Sequence, residues 1–184
     1  STASGGTTSS GGSTGGSTGG TTSSGGTGGT GGGTVCGGLA GIPCGADEYC
    51  DYQDDRCGAD DGTGVCTPKP QGCPDIYMPV CACDGTVAGN ACDANSQGQD
   101  VSVLGGCTAP DGMFACGAGF CDKATSYCQR TTSDVGGYPD SFTCAPLPDA
   151  CAGGAPTCAC LAAEPCGNMC VEADGGLTLT CPGG

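Results

Sequence analysis

The chain has 184 residues, of which 20 are cysteine; it has no histidine or tryptophan, and aromatics make up 4%. So few large apolar side chains cannot supply a conventional core, and the composition specifies a small disulfide-rich protein of an oxidising, extracellular or cell-surface compartment. Nineteen acidic residues against Arg56, Arg130, Lys69 and Lys123 leave a formal charge of −15, which repels phosphate backbones and excludes nucleic acid as a partner.

No apolar run is long enough to cross a bilayer, so no transmembrane segment is expected. No apolar leader precedes Ser1, and the chain reads as a mature exported form. Metal clusters are the competing use of cysteine. With no histidine and two Cys-x-Cys pairs, the expectation is bridges, with neither metal nor cofactor.

Residues 1–34 contain only Gly, Thr, Ser and one Ala, a composition that cannot offset its own chain entropy. The expectation is a low-complexity tail or tether, roughly 30 Å long as a coil and about 110 Å drawn out. Thr7, Thr8, Thr14, Thr18, Thr21 and Thr22 are candidate O-glycosylation sites, and no Asn-x-Ser/Thr acceptor exists. Gly-rich backbone also packs closely when neighbouring copies supply hydrogen-bond partners, so self-association through the tail is the alternative.

From Cys36 the chain can be laid against itself. PCGADEYCDY, GVCTPKPQGC, VCAC, GNAC and DVSVLGGC are followed, in the same order, by ACGAGFCDK, FTCAPLPDAC, TCAC, GNMC and LTLTC. On this reading Cys44, Cys50, Cys57, Cys66, Cys73, Cys81, Cys83, Cys92 and Cys107 correspond to Cys116, Cys121, Cys128, Cys144, Cys151, Cys158, Cys160, Cys170 and Cys181. Cys36 and Cys166 are left unmatched. Two tandem cysteine-stapled modules are expected, 35–108 and 109–184. Spacing alone leaves roughly 10³ connectivities in each.

Local signals are few. Pro68 and Pro70 force an extended approach through Thr67–Pro70. Asn90 can cap a short helix running to about Gln97, with Gly98 helping to end it. Alternation over Asp100–Val103 and Leu177–Thr180 predicts one edge strand per module.

The stretch CPDIYMPVCACDGTVAGNACDANSQGQDVSVLGGC, residues 73–107, resembles a Kazal-type serine protease inhibitor domain. Cys73, Cys81 and Cys92 have that family's spacing, and Cys107 closes the set. Tyr77–Val80 follows its aromatic-x-Pro-aliphatic run, and Gly89-Asn90-Ala91-Cys92 its helix start. The segment from about Cys144 to Cys181 would be a divergent second copy.

The resemblance implies Cys73–Cys92 and Cys81–Cys107, and through the repeat Cys151–Cys170 and Cys158–Cys181. The family's third bridge ends where this chain has Asn95, so Cys66–Cys83 is the expected substitute, with Cys144–Cys160 as its counterpart. The pairing of Cys36, Cys44, Cys50, Cys57, Cys116, Cys121, Cys128 and Cys166 stays open.

The resemblance also makes Pro74, Asp75, Ile76 and Tyr77 a protease-contact loop. Asp75 would enter the protease's specificity pocket, and Asn90 would support the loop from behind. Aspartate suits only a basic pocket, and Ala88 stands where the family has tyrosine. The second loop offers Gly153 at the bait position.

Asp51, Asp54, Asp55, Asp60 and Asp61 cluster around Cys57 without the spacing of a defined Ca²⁺ loop, and read as a solvated turn. Without histidine no nucleophile has an evident base, so the expectation is not an enzyme. The functional expectation is a non-catalytic extracellular structural or interaction protein, displayed on a surface or assembled into a fibre through its tail. Its partner would be another copy or a cell-surface molecule. The alternative is a Kazal-like inhibitor whose partner is a serine protease.

Overall fold

The computed structural model describes residues 33–135 and 138–183. The tail expected over 1–34 and its six candidate glycosylation threonines therefore lie almost wholly outside the described residues; Gly33 and Thr34 alone are described. Among the described residues the fold is small, disulfide-rich and mostly strand, with ten bridges and one short α-helix. No helix is long and apolar enough to cross a membrane.

Strands β1 (Val35–Gly37), β2 (Glu48–Asp51) and β3 (Thr63–Pro68) form an antiparallel sheet in the order β1-β3-β2. Burial alternates along β3, Gly64 and Cys66 inward and Thr63 and Val65 outward, as a one-faced sheet requires. The extended approach predicted from Pro68 is the end of this strand.

Next come β4 (Val80–Cys81), β5 (Val87–Ala88) and α1 (Ala91–Ser96). Asn90 caps α1 by accepting the Asp93 N–H at 2.9 Å, and Gly98 leaves the helix with φ +87°.

Strands β6 (Met113–Cys116) and β7 (Gly119–Asp122) complete a second sheet, ordered β5-β4-β7-β6. This sheet crosses residues 108 and 109, because Val80 pairs with Gly119 and the Cys81 N–H donates to the Ala118 carbonyl at 2.8 Å. The third sheet, β10-β11-β8-β9, is built from β8 (Ser126–Thr132), β9 (Ser141–Pro146), β10 (Cys170–Ala173) and β11 (Gly176–Pro182).

Two edge strands were expected and neither has that form. Leu177–Thr180 lies inside β11, which is central in its sheet and runs parallel to β8. Its leucines are buried because Tyr127, Cys151 and Leu161 cover that face. Asp100–Val103 makes a single bridge, Ala82 to Val101; the side chain of Asp100 takes the Tyr52 N–H, and beyond it the Val103 N–H turns to the Asp55 carbonyl.

The core is three small clusters. Tyr127, Cys151, Leu161, Leu177 and Leu179 form the largest, Phe114 with Cys116, Cys121 and Cys128 the second, and Ala82, Ala88 and Ala94 the third. Patches this small leave much of the stability to the cross-links, at about 2–4 kcal/mol each. Close packing is felt most at Gly176, whose backbone lies flat on the Phe114 ring where any side chain would collide.

The bridges correct the cysteine register. Cys36–Cys50 and Cys44–Cys66 in the first half have the same plan as Cys116–Cys128 and Cys121–Cys144 in the second. Cys50 pairs with Cys66 across β2 and β3, as Cys128 pairs with Cys144 across β8 and β9. Tyr49 and Tyr127 are buried at the same place in the two hairpins. The Lys69 N–H to Asp47 carbonyl bond recurs as Leu147 to Thr125, both at 2.9 Å. Cys36 therefore corresponds to Cys116, Cys44 to Cys121 and Cys50 to Cys128. The cysteine without a counterpart in this hairpin is Cys57, not Cys36.

Four expected bridges are consequently replaced. Cys66 bonds Cys44 rather than Cys83, and Cys83 takes Cys57, which a left-handed backbone (φ +54°) turns out of the 51–62 loop. Cys144 bonds Cys121 rather than Cys160 because it occupies the place of Cys66. Cys151–Cys170 and Cys158–Cys181 give way to Cys151–Cys160, Cys158–Cys170 and Cys166–Cys181. The physical reason is that the second half has no counterpart of α1. Residues 158–169 form 3-10 turns, and Cys170 opens β10, paired with Leu179 of β11, instead of sitting on a helix behind the loop.

Candidate functional site

The stretch between Cys73 and Cys81 forms a protruding loop tied at both ends, by Cys73–Cys92 to α1 and by Cys81–Cys107 to the segment after Val103. Pro74 and Asp75 are exposed, and Ile76, Tyr77 and Met78 are 54%, 66% and 68% exposed. Pro79 is buried and marks where the loop rejoins the sheet. Three successive large apolar side chains presented to solvent need a local cause, since burial would be favoured by about 1.5–3 kcal/mol each.

That cause is a brace behind the loop. Asn90 is buried, and its Nδ2 donates to the Ile76 carbonyl at 3.0 Å and to the Pro74 carbonyl at 3.4 Å. The same amide group donates to Asp93 Oδ2 at 2.9 Å, while its Oδ1 accepts the Asp93 N–H. One side chain thus ties the helix start to the carbonyls on either side of Asp75. The Met78 N–H donates to the Gly89 carbonyl, and the Ile76 N–H closes a tight turn onto Pro74, both at 2.9 Å. Ala88 is buried opposite Val80. The structure thus brings Pro74, Asp75, Ile76, Tyr77 and Asn90 together.

Asn95, where the resemblance would imply a bridge cysteine, makes a hydrogen bond. Asn95 Nδ2 donates to the Tyr49 hydroxyl at 3.1 Å, joining α1 to β2. Sequence reading stopped at the absence of a cysteine there. It also missed Asp93, although an acidic residue three positions after an Asn cap is the spacing of a capping box.

The second loop, Ala152–Thr157, lacks such support. Asn168, the counterpart of Asn90 in GNMC, is exposed and makes no side-chain hydrogen bond among the described residues. The Cys158 N–H is met instead by Glu172 Oε1 at 2.7 Å.

Electrostatics are dominated by carboxylates. Asp100 is buried, with Oδ2 accepting the Tyr52 N–H at 2.7 Å and Oδ1 the Val101 N–H at 2.8 Å. Burial raises its pKa to about 6 against those two hydrogen bonds, with smaller upward contributions from Asp55 and Asp51. Burial likewise raises Asp55, followed by the charges of Asp51 and Asp54. In the acidic turn Asp54 accepts the Arg56 N–H and Asp60 pairs with the Arg56 guanidinium, while Asp60 and Asp61 have left-handed backbones. Two groups of three cysteines, Cys36/Cys44/Cys50 and Cys116/Cys121/Cys144, lie close enough to ligate a metal, but each of these sulfurs is committed to a bridge.

No family model, curated protein or solved structure matches the chain. The functional reading therefore rests on the loop and its brace.

Proposed function

We propose that this is a non-catalytic, exported interaction protein whose contact element is the Cys73–Cys81 loop, acting as a Kazal-like inhibitor of a serine protease with a basic specificity pocket. The observation that carries this reading is the Asn90 amide, bonded to the carbonyls of Pro74 and Ile76 on either side of Asp75. A loop held in one shape before docking loses little entropy on binding, so its contacts are realised as affinity. Ten bridges among 20 cysteines support an oxidising, extracellular setting. Assembly into a fibre through the tail, the first functional expectation of the sequence, depends on residues outside the described range, and no observation among the described residues bears on it.

The test is a panel of purified serine proteases of acidic, basic and apolar specificity. The native chain inhibits the acid-selective member and remains uncleaved. Asp75→Arg transfers inhibition to a trypsin-like enzyme, whose pocket carboxylate pairs with the new guanidinium. Absence of inhibition across the panel, with cleavage in the loop or none, removes the proposal. Sedimentation of the same native sample reports whether it is monomeric, as an inhibitor should be, or polymeric.

A further inference from the structure

Once its bridges are closed, the chain keeps few groups that a two-electron oxidant attacks readily. All 20 cysteines are in disulfides, and the sequence has neither tryptophan nor histidine. What remains is three thioethers, Met78, Met113 and Met169. They are unequally open to solvent: Met78 is 68% exposed and Met169 39%, while Met113 is half-buried at the start of β6.

The most open of the three is also the one on the contact loop. Met78 follows Asp75, Ile76 and Tyr77 directly, and its backbone is fixed because its N–H donates to the Gly89 carbonyl at 2.9 Å. Pro79, the next residue, is buried, so the chain cannot carry the thioether inward without unseating the strand that follows. With Tyr77 and Phe120, Met78 lines a groove of about 620 Å³ beside the loop. A soft, apolar sulfur is therefore held on the presented side of the loop.

We propose that Met78 is an oxidation site through which a hydroperoxide loosens the hold of the contact loop on its protease, an inference that rests on the inhibitor reading above. In the step, a sulfur lone pair attacks one oxygen of hydrogen peroxide. The S–O bond forms as the O–O bond breaks, and the proton of the attacked hydroxyl passes to the departing one, which leaves as water. Sulfur loses two electrons and the peroxide gains them. The product is a sulfoxide, a strong hydrogen-bond acceptor where the thioether was apolar, and covering it with a protease surface that offers no donor is costly. Sulfoxide reductases reverse the change, one enzyme for each epimer, so the site acts as a switch.

The test treats the native full-length chain with limiting hydrogen peroxide, maps its peptides by mass spectrometry, and titrates the product against the acid-selective protease of the panel. Met78 gains oxygen first, about twofold faster than Met169 and ahead of Met113. Inhibition weakens about tenfold in step with that peptide, and reductases of both epimer specificities restore it. Met78→Leu abolishes the response, read as the ratio of treated to untreated inhibition, whereas Met169→Leu retains it. Earlier oxidation of Met169 or Met113, undiminished inhibition by chain fully oxidised at Met78, or a peroxide response that survives in Met78→Leu overturns the proposal. Absence of inhibition by the untreated chain removes the protease reading and the switch together, and so is told apart from failure of the switch alone.

Discussion

Replacing Asn90 by alanine removes three things at once: the helix cap on Asp93, the bonds to Pro74 and Ile76, and the contact with the Asp93 carboxylate. An N-cap is worth about 1 kcal/mol. The two carbonyl bonds add about 1 kcal/mol together, since the exposed loop lets water take over part of them. The expected loss is about 2–3 kcal/mol, or about 4–12 °C in Tm for a described region of this size.

Asn90→Asp separates the contributions. It keeps an oxygen for the Asp93 N–H but loses both donors to the loop, and it places a second carboxylate beside Asp93. Native-state hydrogen exchange on both variants, without reductant, is the assay. Asn90→Ala increases exchange at Ile76, Met78 and Asp93, whereas Asn90→Asp does so at Ile76 and Met78 while Asp93 stays protected. If loop exchange is unchanged in both variants, the disulfides alone hold the loop and the brace described here is wrong.

Two further predictions concern the elements behind the loop. Asp100, raised from 3.8 to about 6, binds its proton more readily folded than unfolded, so its contribution to stability is complete below pH 4 and is lost as pH rises through 6. The shift corresponds to at most about 3 kcal/mol, and partial hydration of the turn brings it to about 1–2 kcal/mol. Urea midpoints at pH 4.5 and 7.5 should show this loss in the native chain and a flatter profile in Asp100→Asn; equal slopes would dismiss it. Changing Cys57 and Cys83 together to serine opens a bridge of sequence separation 26, at a cost of about 3 kcal/mol. A non-reducing peptide map should then still find Cys73–Cys92 and Cys81–Cys107; their loss would mean that the 51–62 loop organises the whole segment.

What the residues disclosed in advance depended on how local the signal was. The Asn90 cap, the end of α1 at Gly98 and the extended run into Pro68 each follow from one or two side chains acting on nearby backbone. The two bridges at the ends of the contact loop coincide with those the resemblance implies. Pairings across the chain were less legible. Counting cysteines from Cys44 put the repeat one step out of register, although Tyr49-Cys50 and Tyr127-Cys128 contain the correct alignment. The second half then departed because nothing caps a helix after Asn168, which left Cys158, Cys166 and Cys170 to find other partners. The Leu-Thr alternation of β11 correctly reports which face is buried, but it does not distinguish an edge strand from one with hydrogen-bonded neighbours on both edges.

The position of β11 has a consequence for biogenesis. The last strand in chain order is an inner one, and its neighbour β8 is parallel to it and about 50 positions earlier, so a long excursion must close before that sheet exists. Bridges of short span, such as Cys151–Cys160 and Cys116–Cys128, can form during synthesis, whereas Cys166–Cys181 must wait for β11. Until then Cys166 is an unpaired thiol among nascent bridges, able to attack them by exchange. Productive maturation is therefore expected to depend on a disulfide isomerase, and the yield on refolding from the reduced state to be limited by reshuffling rather than by collapse.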